Sequence, residues 1–276
     1  MHESALKCQW GVGDNYKGGG LEAFLYLLKS FMEYKYPDTP LTFGSAYAIM
    51  INELPIIRLS KGSDTMATPD KSIDPRLLAS AKAEFSKHGF LKAELKTICE
   101  NAGITTGAVY KRYKGKEDLF SAVVGNIADA LIRFVQSRSD IDFSALSDDE
   151  IYDSWVMSYE TMMPLFELLY EHRDTFTLLI DKSAGTRYEG FCHEYVTKMC
   201  YAYEQFYTEA YKRGLAKAKV TGEEFHVLLS SFWTCVCEPF IHEMPWGQIE
   251  EHCRIVCRFF NWQEVIMLKK GDGKSV

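Results

Sequence analysis

Lys96-Thr97-Ile98-Cys99-Glu100-Asn101-Ala102-Gly103-Ile104-Thr105-Thr106-Gly107-Ala108-Val109-Tyr110-Lys111-Arg112-Tyr113, followed by Lys116-Glu117-Asp118-Leu119-Phe120, is the stretch that decides the fold. Gly103 is free to take a positive φ and turn the chain. Before it, Leu95 and Ile98 share one face of a short helix over 95–101. After it, Thr105 has the hydroxyl to cap a helix running from Thr106 to about Tyr113, with Val109 and Tyr113 on its inner face. Upstream, Asp74-Pro75 offers an N-cap and a first-position proline for a supporting helix that ends at His88-Gly89. Two short helices around a glycine-centred turn, braced by a third, make a helix-turn-helix.

The last of these helices carries the useful side chains. Residues 109–116 hold four cations (Lys111, Arg112, Lys114, Lys116) and no acid. A helix seated in the major groove offers its N-terminal residues to base edges and its flanks to phosphates. Thr105 and Thr106 can hydrogen-bond there, and a threonine methyl can touch a thymine methyl. Gly107 lets the backbone approach closely, while Tyr110, Lys111 and Arg112 reach phosphates or guanine edges. Lys116 opens a further helix, whose N-terminal dipole already favours an anion. A cluster of Lys and Arg is by itself most often a solvated face; inside this spacing it becomes a DNA-contacting one.

The run from Lys96 to Tyr113, with Lys116-Glu117-Asp118-Leu119-Phe120, resembles the DNA-binding domain of the tetracycline-repressor (TetR) family. The resemblance covers residues 74–124. Its Ala-Gly-Ile-Thr, Gly-x-Val-Tyr and Lys-Glu-x-Leu stand at the family's spacings, which is specific jointly and weak singly. Beyond residue 125 the likeness is one of layout, helped by Ala184-Gly185-Thr186-Arg187-Tyr188-Glu189 and Phe259-Phe260-Asn261-Trp262. It implies a homodimer on double-stranded operator DNA, a variable ligand domain and release of the DNA by a small-molecule inducer, with repression as the default. It also implies that Tyr110 and Lys116 bind phosphate, that Thr105, Thr106 and Arg112 read bases, and that Lys96 adds a contact from the second helix. Two positions depart from the family. Ala93-Glu94 stands where a capping Thr is common, and Cys99 replaces a small Ala.

The rest of the chain is also read as helical. Pro is absent from residues 76–163, period-two alternation is weak, and apolar residues recur at three and four, as in Leu77, Leu78, Ala81 and Phe85. Leu119, Val123, Ile127, Leu131 and Val135 keep a strict four-residue step. The expectation is an all-α fold of about nine helices after residue 74. Residues 74–121 form the helix-turn-helix domain and residues 122–276 a larger ligand-binding and dimerisation domain. The 276 residues carry net charge −7, yet residues 74–128 hold nine Lys/Arg against six Asp/Glu, a basic island between acidic neighbours. Such a balance disfavours a generic polyanion binder and leaves room for a local anion site.

Residues 148–213 are rich in adaptable apolar side chains. Trp155, Tyr159, Met162, Met163, Phe166, Tyr170, Phe176, Tyr188, Phe191, Tyr195 and Met199, with Trp233 further on, are candidates for a ligand pocket. The same side chains also build a plain core. Pro164 is expected to kink or break its helix and open space. The acidic balance points to a cationic or neutral ligand. The last two helices, about 223–243 and 247–268, are expected to pair with a second copy through Phe225, Leu228, Leu229, Phe232, Val236, Ile249, Cys253, Val256 and Phe260, alongside Val265. Packing within the chain is the competing reading.

Eight cysteines in a chain this long do not read as a disulfide framework. Cys235, Cys237, Cys253 and Cys257, with His242 and His252 near, make a thiol- or metal-responsive regulator the alternative. Cys235 and Cys237 would point apart on a helix, which is poor for chelation. No Gly-x-Ser-x-Gly, phosphate loop, dinucleotide fingerprint or His-Glu-x-x-His occurs, so no catalysis, resident metal or cofactor is expected. No apolar run reaches a membrane-spanning length and no secretory signal opens the chain, so the expected compartment is the cytoplasm.

Residues 1–73 read as an N-terminal extension. Gly18-Gly19-Gly20 breaks it, and residues 21–36 have the pattern of one amphipathic helix. The codons of Lys61-Gly62-Ser63 can spell a purine-rich ribosome-binding site ahead of Met66, so a translated leader and a weakly packed arm are both open. N-terminal sequencing of the native protein decides between them.

Overall fold

The computed structural model describes residues 73–139 and 141–270. The extension, its helix and the start at Met66 lie outside the described residues. The described residues are helical and contain no strand. One antiparallel bridge joins Ala216 to Leu268.

The first three helices are α1 (Ile73–Lys92), α2 (Leu95–Ala102) and α3 (Thr106–Tyr110). Leu77, Ala81 and Phe85 of α1 are fully buried. Gly89 interrupts α1 with φ 69° and ψ 167°, a conformation costly for any residue with a Cβ. It turns Phe90 back onto Phe85 and Phe120, at ring separations of 6.1 and 5.5 Å. Helix α2 buries Ile98, Cys99 and Ala102 and ends on Gly103 in the left-handed region, φ 67° and ψ 36°, as its sequence requires.

Helix α4 (Lys116–Ser139) has 24 residues. Its first turns press Leu119 and Phe120 into the helix-turn-helix core, and its later turns bury Ile127, Leu131, Phe134 and Val135. The boundary expected at residue 121 therefore falls inside one continuous helix. A 3₁₀ turn (Phe143–Ala145) leads to α5 (Asp148–Ser154), α6 (Tyr159–Glu171) and α7 (Arg173–Asp181). Then come α8 (Phe191–Lys212), α9 (Gly222–Ile241), α10 (Trp246–Phe259) and α11 (Trp262–Val265). These are eleven α-helices where about nine were expected. Reciprocal capping boxes at Ser147 and Ser158 split the 150–172 region, and Asn261 caps α11 as a separate turn.

Pro164 neither ends nor splits α6, which runs through it to Glu171. The proline lies buried in the second turn, where its missing N–H costs the helix one internal bond. The core of the larger part is aromatic. Trp233 lies 4.3 Å from Tyr195 and 6.2 Å from Phe176, and Phe176 meets Phe240 edge-on at 5.2 Å. Arg213 secures the link from α4 to α5. Its guanidinium donates to the carbonyls of Phe143, Ser144 and Leu146 and to the carboxylates of Asp148 and Glu209.

Candidate nucleic-acid interface

The turn geometry follows from a few local bonds. Thr105 is the N-cap of α3, its hydroxyl accepting from the Ala108 N–H at 3.2 Å. The helix stops at Tyr110, three residues earlier than expected. The N–H groups of Arg112 and Tyr113 both turn to the Val109 carbonyl at 2.8 Å, which tightens the chain before Gly115. Val109 is fully buried and Tyr113 packs on the core from the partly buried shell, so the inner face is as the sequence predicts. The missing hydroxyl cap of α2 is replaced from a distance. Buried Glu84 on α1 accepts from the Glu94 N–H at 3.2 Å. No local spacing in the sequence signals this role, because the partner is ten residues away.

One exposed face gathers Thr105, Thr106, Gly107, Tyr110 and Lys111. Tyr110 is 61% exposed, unusual for an aromatic. A Cβ built on Gly107 would meet only the Thr105 hydroxyl, at 3.9 Å, which is ordinary contact. Nothing inside the chain demands a glycine there. Lys96 lies exposed on α2, 3.8 Å from Glu100. Lys114 is exposed as well and extends the basic edge.

Two expected contacts are positioned differently. Arg112 is half-buried and donates to the Ala108 carbonyl at 3.2 Å, folding back on its own helix. The Lys116 ammonium donates to the Leu91 and Ala93 carbonyls at 3.2 and 3.0 Å and lies 4.5 Å over the Phe90 ring. An ammonium has three donors, so these two bonds leave one for an outside acceptor. Lys116 thus ties α4 to the end of α1 before any partner arrives. Cys99 is buried, and desolvation together with the Glu100 charge pushes its thiol up.

Contacts fasten this unit to the larger body. Lys82 pairs with Asp174 of α7 at 2.8 Å, the Phe90 N–H donates to the Lys182 carbonyl at 3.0 Å, and Glu117 accepts from the Arg187 N–H at 3.0 Å. Gly185 packs on the exposed Leu91 side chain, and its φ of 83° is a backbone conformation that favours glycine.

Residues 77–123 match the family of bacterial regulatory proteins called tetR. This segment is a tetR-family domain. The chain also aligns with the HTH-type transcriptional regulator UidR of Escherichia coli (strain K12), 33% identical over 81 residues. That is 29% of this chain and 41% of the relative, so the alignment spans about two-fifths of the relative's length. UidR of Shigella flexneri aligns with the same figures. Among solved structures, the SmeT–triclosan complex aligns over 75% of this chain and 95% of its own, with 20% identity and a TM-score of 0.49. SmeT, the repressor of the Stenotrophomonas maltophilia multidrug efflux pump SmeDEF, aligns over 78% and 96%, with 19% identity and the same 0.49.

Outside the tetR-family domain, the expected pocket residues mostly fill the core. Trp155, Met162, Met163, Phe166, Phe176, Phe191, Tyr195, Met199 and Trp233 are buried. Tyr159 lies beneath Arg254 at 4.1 Å, and Tyr188 beside Phe120 at 6.4 Å. Tyr170 opens onto a cleft of about 380 Å³ between α7, the end of α9 and Ser86 of α1. Its rim carries both signs of charge, Arg173 and Lys182 against Asp174 and Glu243. A narrower cleft lies along Trp155, Met162, Tyr203 and Trp262.

The expected dimer face needs correction. Phe225, Leu229, Phe232, Val236, Ile249, Cys253, Val256 and Phe260 are all buried within the chain, and Leu228 is half-buried. The apolar period marks the stripe that each helix turns toward its own core. The outward side carries Val227, Ser231 and Thr234 on α9 and Ile255 and Phe259 on α10, with Phe259 76% exposed. Val265 is 36% exposed.

Among the described residues no three His, Cys, Asp or Glu side chains converge as a metal site. The four cysteines named for it do not form one cluster. Cys253 and Cys257 contact each other along α10. The Cys235 backbone carbonyl meets the His252 Nε2 at 2.7 Å, while Cys237 is buried in the core. No described helix is long and apolar enough to cross a membrane.

Proposed function

We propose that the chain is a ligand-responsive transcription regulator, a repressor that binds a palindromic operator as a homodimer and is released by a small molecule. The observation that carries this is the exposed face of Thr105, Thr106, Gly107 and Tyr110 on a rigidly braced tetR-family domain. Thr106 and Gly107 meet base edges in the major groove. Tyr110, Lys111, Lys96 and the remaining donor of Lys116 meet phosphates. Arg112 reads a base by leaving the Ala108 carbonyl. The similarity to UidR, an HTH-type transcriptional regulator, supports the regulatory reading.

The second copy packs on Val227, Ser231, Thr234, Ile255 and Phe259. Small residues at the centre of that face let two helix pairs approach closely in a four-helix arrangement. Two-fold symmetry then presents the reading helix twice, which requires an operator of two half-sites. The inducer enters the cleft at Tyr170, Arg173 and Phe240. The mixed charge on its rim suits a polar or zwitterionic molecule as well as a neutral or cationic one. That cleft touches α1 through Ser86 and α7 through Asp174, so occupancy strains the Lys82–Asp174 tie.

Selection of bound duplexes from a random pool, followed by titration at several salt concentrations, tests the reading. The expected result is a palindromic consensus bound at least 10³-fold more tightly than random DNA, the low end of the usual specificity ratio. Affinity equal for all duplexes at every salt concentration refutes it.

A further inference from the structure

Helix α9 closes with a turn that a glycine ordinarily makes. The Met244 N–H donates to the Pro239 carbonyl at 2.8 Å and the Glu243 N–H to the Phe240 carbonyl at 3.2 Å, which is a Schellman close. Its left-handed residue is Glu243, at φ 51°. A side chain is disfavoured in that region, and the bonds of the turn ask nothing of a carboxylate. Glu243 lines the cleft of about 380 Å³, as does Arg173. The Arg173 guanidinium lies 4.7 Å over the Tyr170 ring and donates to the Tyr170 carbonyl at 3.1 Å. That seat fixes the plane of its fork and leaves its other N–H groups for an outside acceptor. The remaining charges in the lining are engaged. Asp174 accepts from Lys82 at 2.8 Å, and Lys182 stands 3.4 Å from Asp181. Among the described residues Arg173 and Glu243 close no ion pair.

We propose that this cleft takes a zwitterionic amino carboxylate with an apolar side chain, a free amino acid or a short peptide. The carboxylate sits on the Arg173 fork and the ammonium on Glu243. This rests on the reading of the cleft as the inducer site and narrows it to one class of ligand.

The chemistry of the lining selects that class. A guanidinium held flat matches the two oxygens of a carboxylate, and a carboxylate without a partner matches an ammonium. A ligand of one sign is attracted by one of the two and repelled by the other. A neutral ligand displaces water from both and replaces it for neither. Much of the remaining wall is apolar, with Leu178, Pro239, Phe240, Met244 and Pro245 beside Tyr170. Phe240 is fixed by Phe176, edge-on at 5.2 Å, and its carbonyl accepts from the Thr177 hydroxyl at 3.4 Å. The volume stands near the lower end of the usual range for ligand sites, about 300–1,000 Å³, which suits a small molecule. Ser86 of α1 completes the wall, so the occupant touches the reading head as well as the body.

The test is calorimetric titration of the full chain, without DNA. The probes are L-phenylalanine, L-leucine and the dipeptide of each, beside phenethylamine and phenylpropionate, which carry one charge apiece. At least one zwitterion should bind about tenfold or more tightly than either analogue, because a lost hydrogen bond to a charged group costs about that factor. The amino-acid and dipeptide arms show which source fits. Hydrogen exchange should slow over residues 239–245 when the zwitterion binds. R173Q and E243Q should each remove most of the preference. E243G should raise Tm by about 2–4 °C by relieving the turn, yet lose the same preference, a split that a purely structural Glu243 would not give. The analogue and exchange arms need only the unaltered chain, so a variant that misfolds does not shield the idea. No binding by any zwitterion at millimolar concentration, analogues that bind as tightly, or protection elsewhere than 239–245 overturns it. A neutral molecule that protects 239–245 and weakens the operator complex would overturn the zwitterion and keep the inducer reading. A zwitterion that binds as described and leaves operator affinity unchanged would support the site and sink the inducer reading.

Discussion

Replacing Gly107 by Ala separates folding from recognition at a single atom. Position 107 is the second residue of α3, and the added Cβ would meet only the Thr105 hydroxyl at 3.9 Å, with no internal clash. A glycine in a helix interior costs about 1 kcal/mol relative to Ala, and near a helix end less. The variant should therefore be as stable as the parent or up to about 1 kcal/mol more so. For a body of this size that is a rise in Tm of about 2–4 °C at most. The same methyl faces outward, where the proposed groove contact lies. If bases approach as closely as the open space allows, displacing the helix by a methyl radius breaks the base-edge bonds around it. The expected loss is about 1–3 kcal/mol, or roughly 5- to 150-fold in operator affinity, with non-specific binding little changed. Fluorescence anisotropy on the selected operator and on random duplex, beside a thermal melt, reads all three quantities. A variant with an unchanged melt and unchanged operator affinity would refute the placement of α3 in the groove.

Tyr110→Phe removes a hydroxyl from a 61% exposed ring and should leave stability within about 0.5 kcal/mol, while weakening binding to operator and random DNA alike. Phe259→Glu should convert the proposed dimer to a folded monomer in sedimentation velocity, whereas Phe260→Ala, a buried truncation, should cost about 3–5 kcal/mol in a denaturant titration. A stable F259E dimer would contradict the proposed interface. Arg213→Ala should cost about 2 kcal/mol, and hydrogen exchange should rise selectively over residues 143–148, where its acceptors lie. The hydrogen bond from Lys82, with its charge, holds the Asp174 carboxyl below its ordinary value. The folded pKa is thus lower than the unfolded one. The contribution of the pair is complete above the ordinary carboxylate range and disappears as pH falls through the folded value. The Tm difference between the parent and Asp174→Asn should shrink to nothing across that acidic window.

The helix-turn-helix was legible because each of its bends has a local cause. Gly89 and Gly103 need positive φ, Thr105 needs a hydroxyl, and Val109 needs an apolar neighbour, all within a few residues. Features built from distant partners were not legible. Glu84 caps α2 from across the domain, and Arg213 reaches acceptors 65 to 70 residues back. The dimer face was misassigned for a definite reason. Periodicity finds the stripe that is buried but does not say by what, and in α9 and α10 the strongest stripe meets the chain's own core. The weaker outward pattern, Val227 and Phe259 among Ser231 and Thr234, has too few apolar residues to stand out.

Helix α4 is common property of the reading head and the body. Its 24 residues make a rod of about 36 Å. Held at the α8 end, such a lever needs a tilt of only about 5° to swing its other tip by roughly 3 Å, close to the 3.4 Å step between stacked base pairs. A molecule lodged far from the DNA could therefore move the head by a whole rung with a motion that barely disturbs the packing around it.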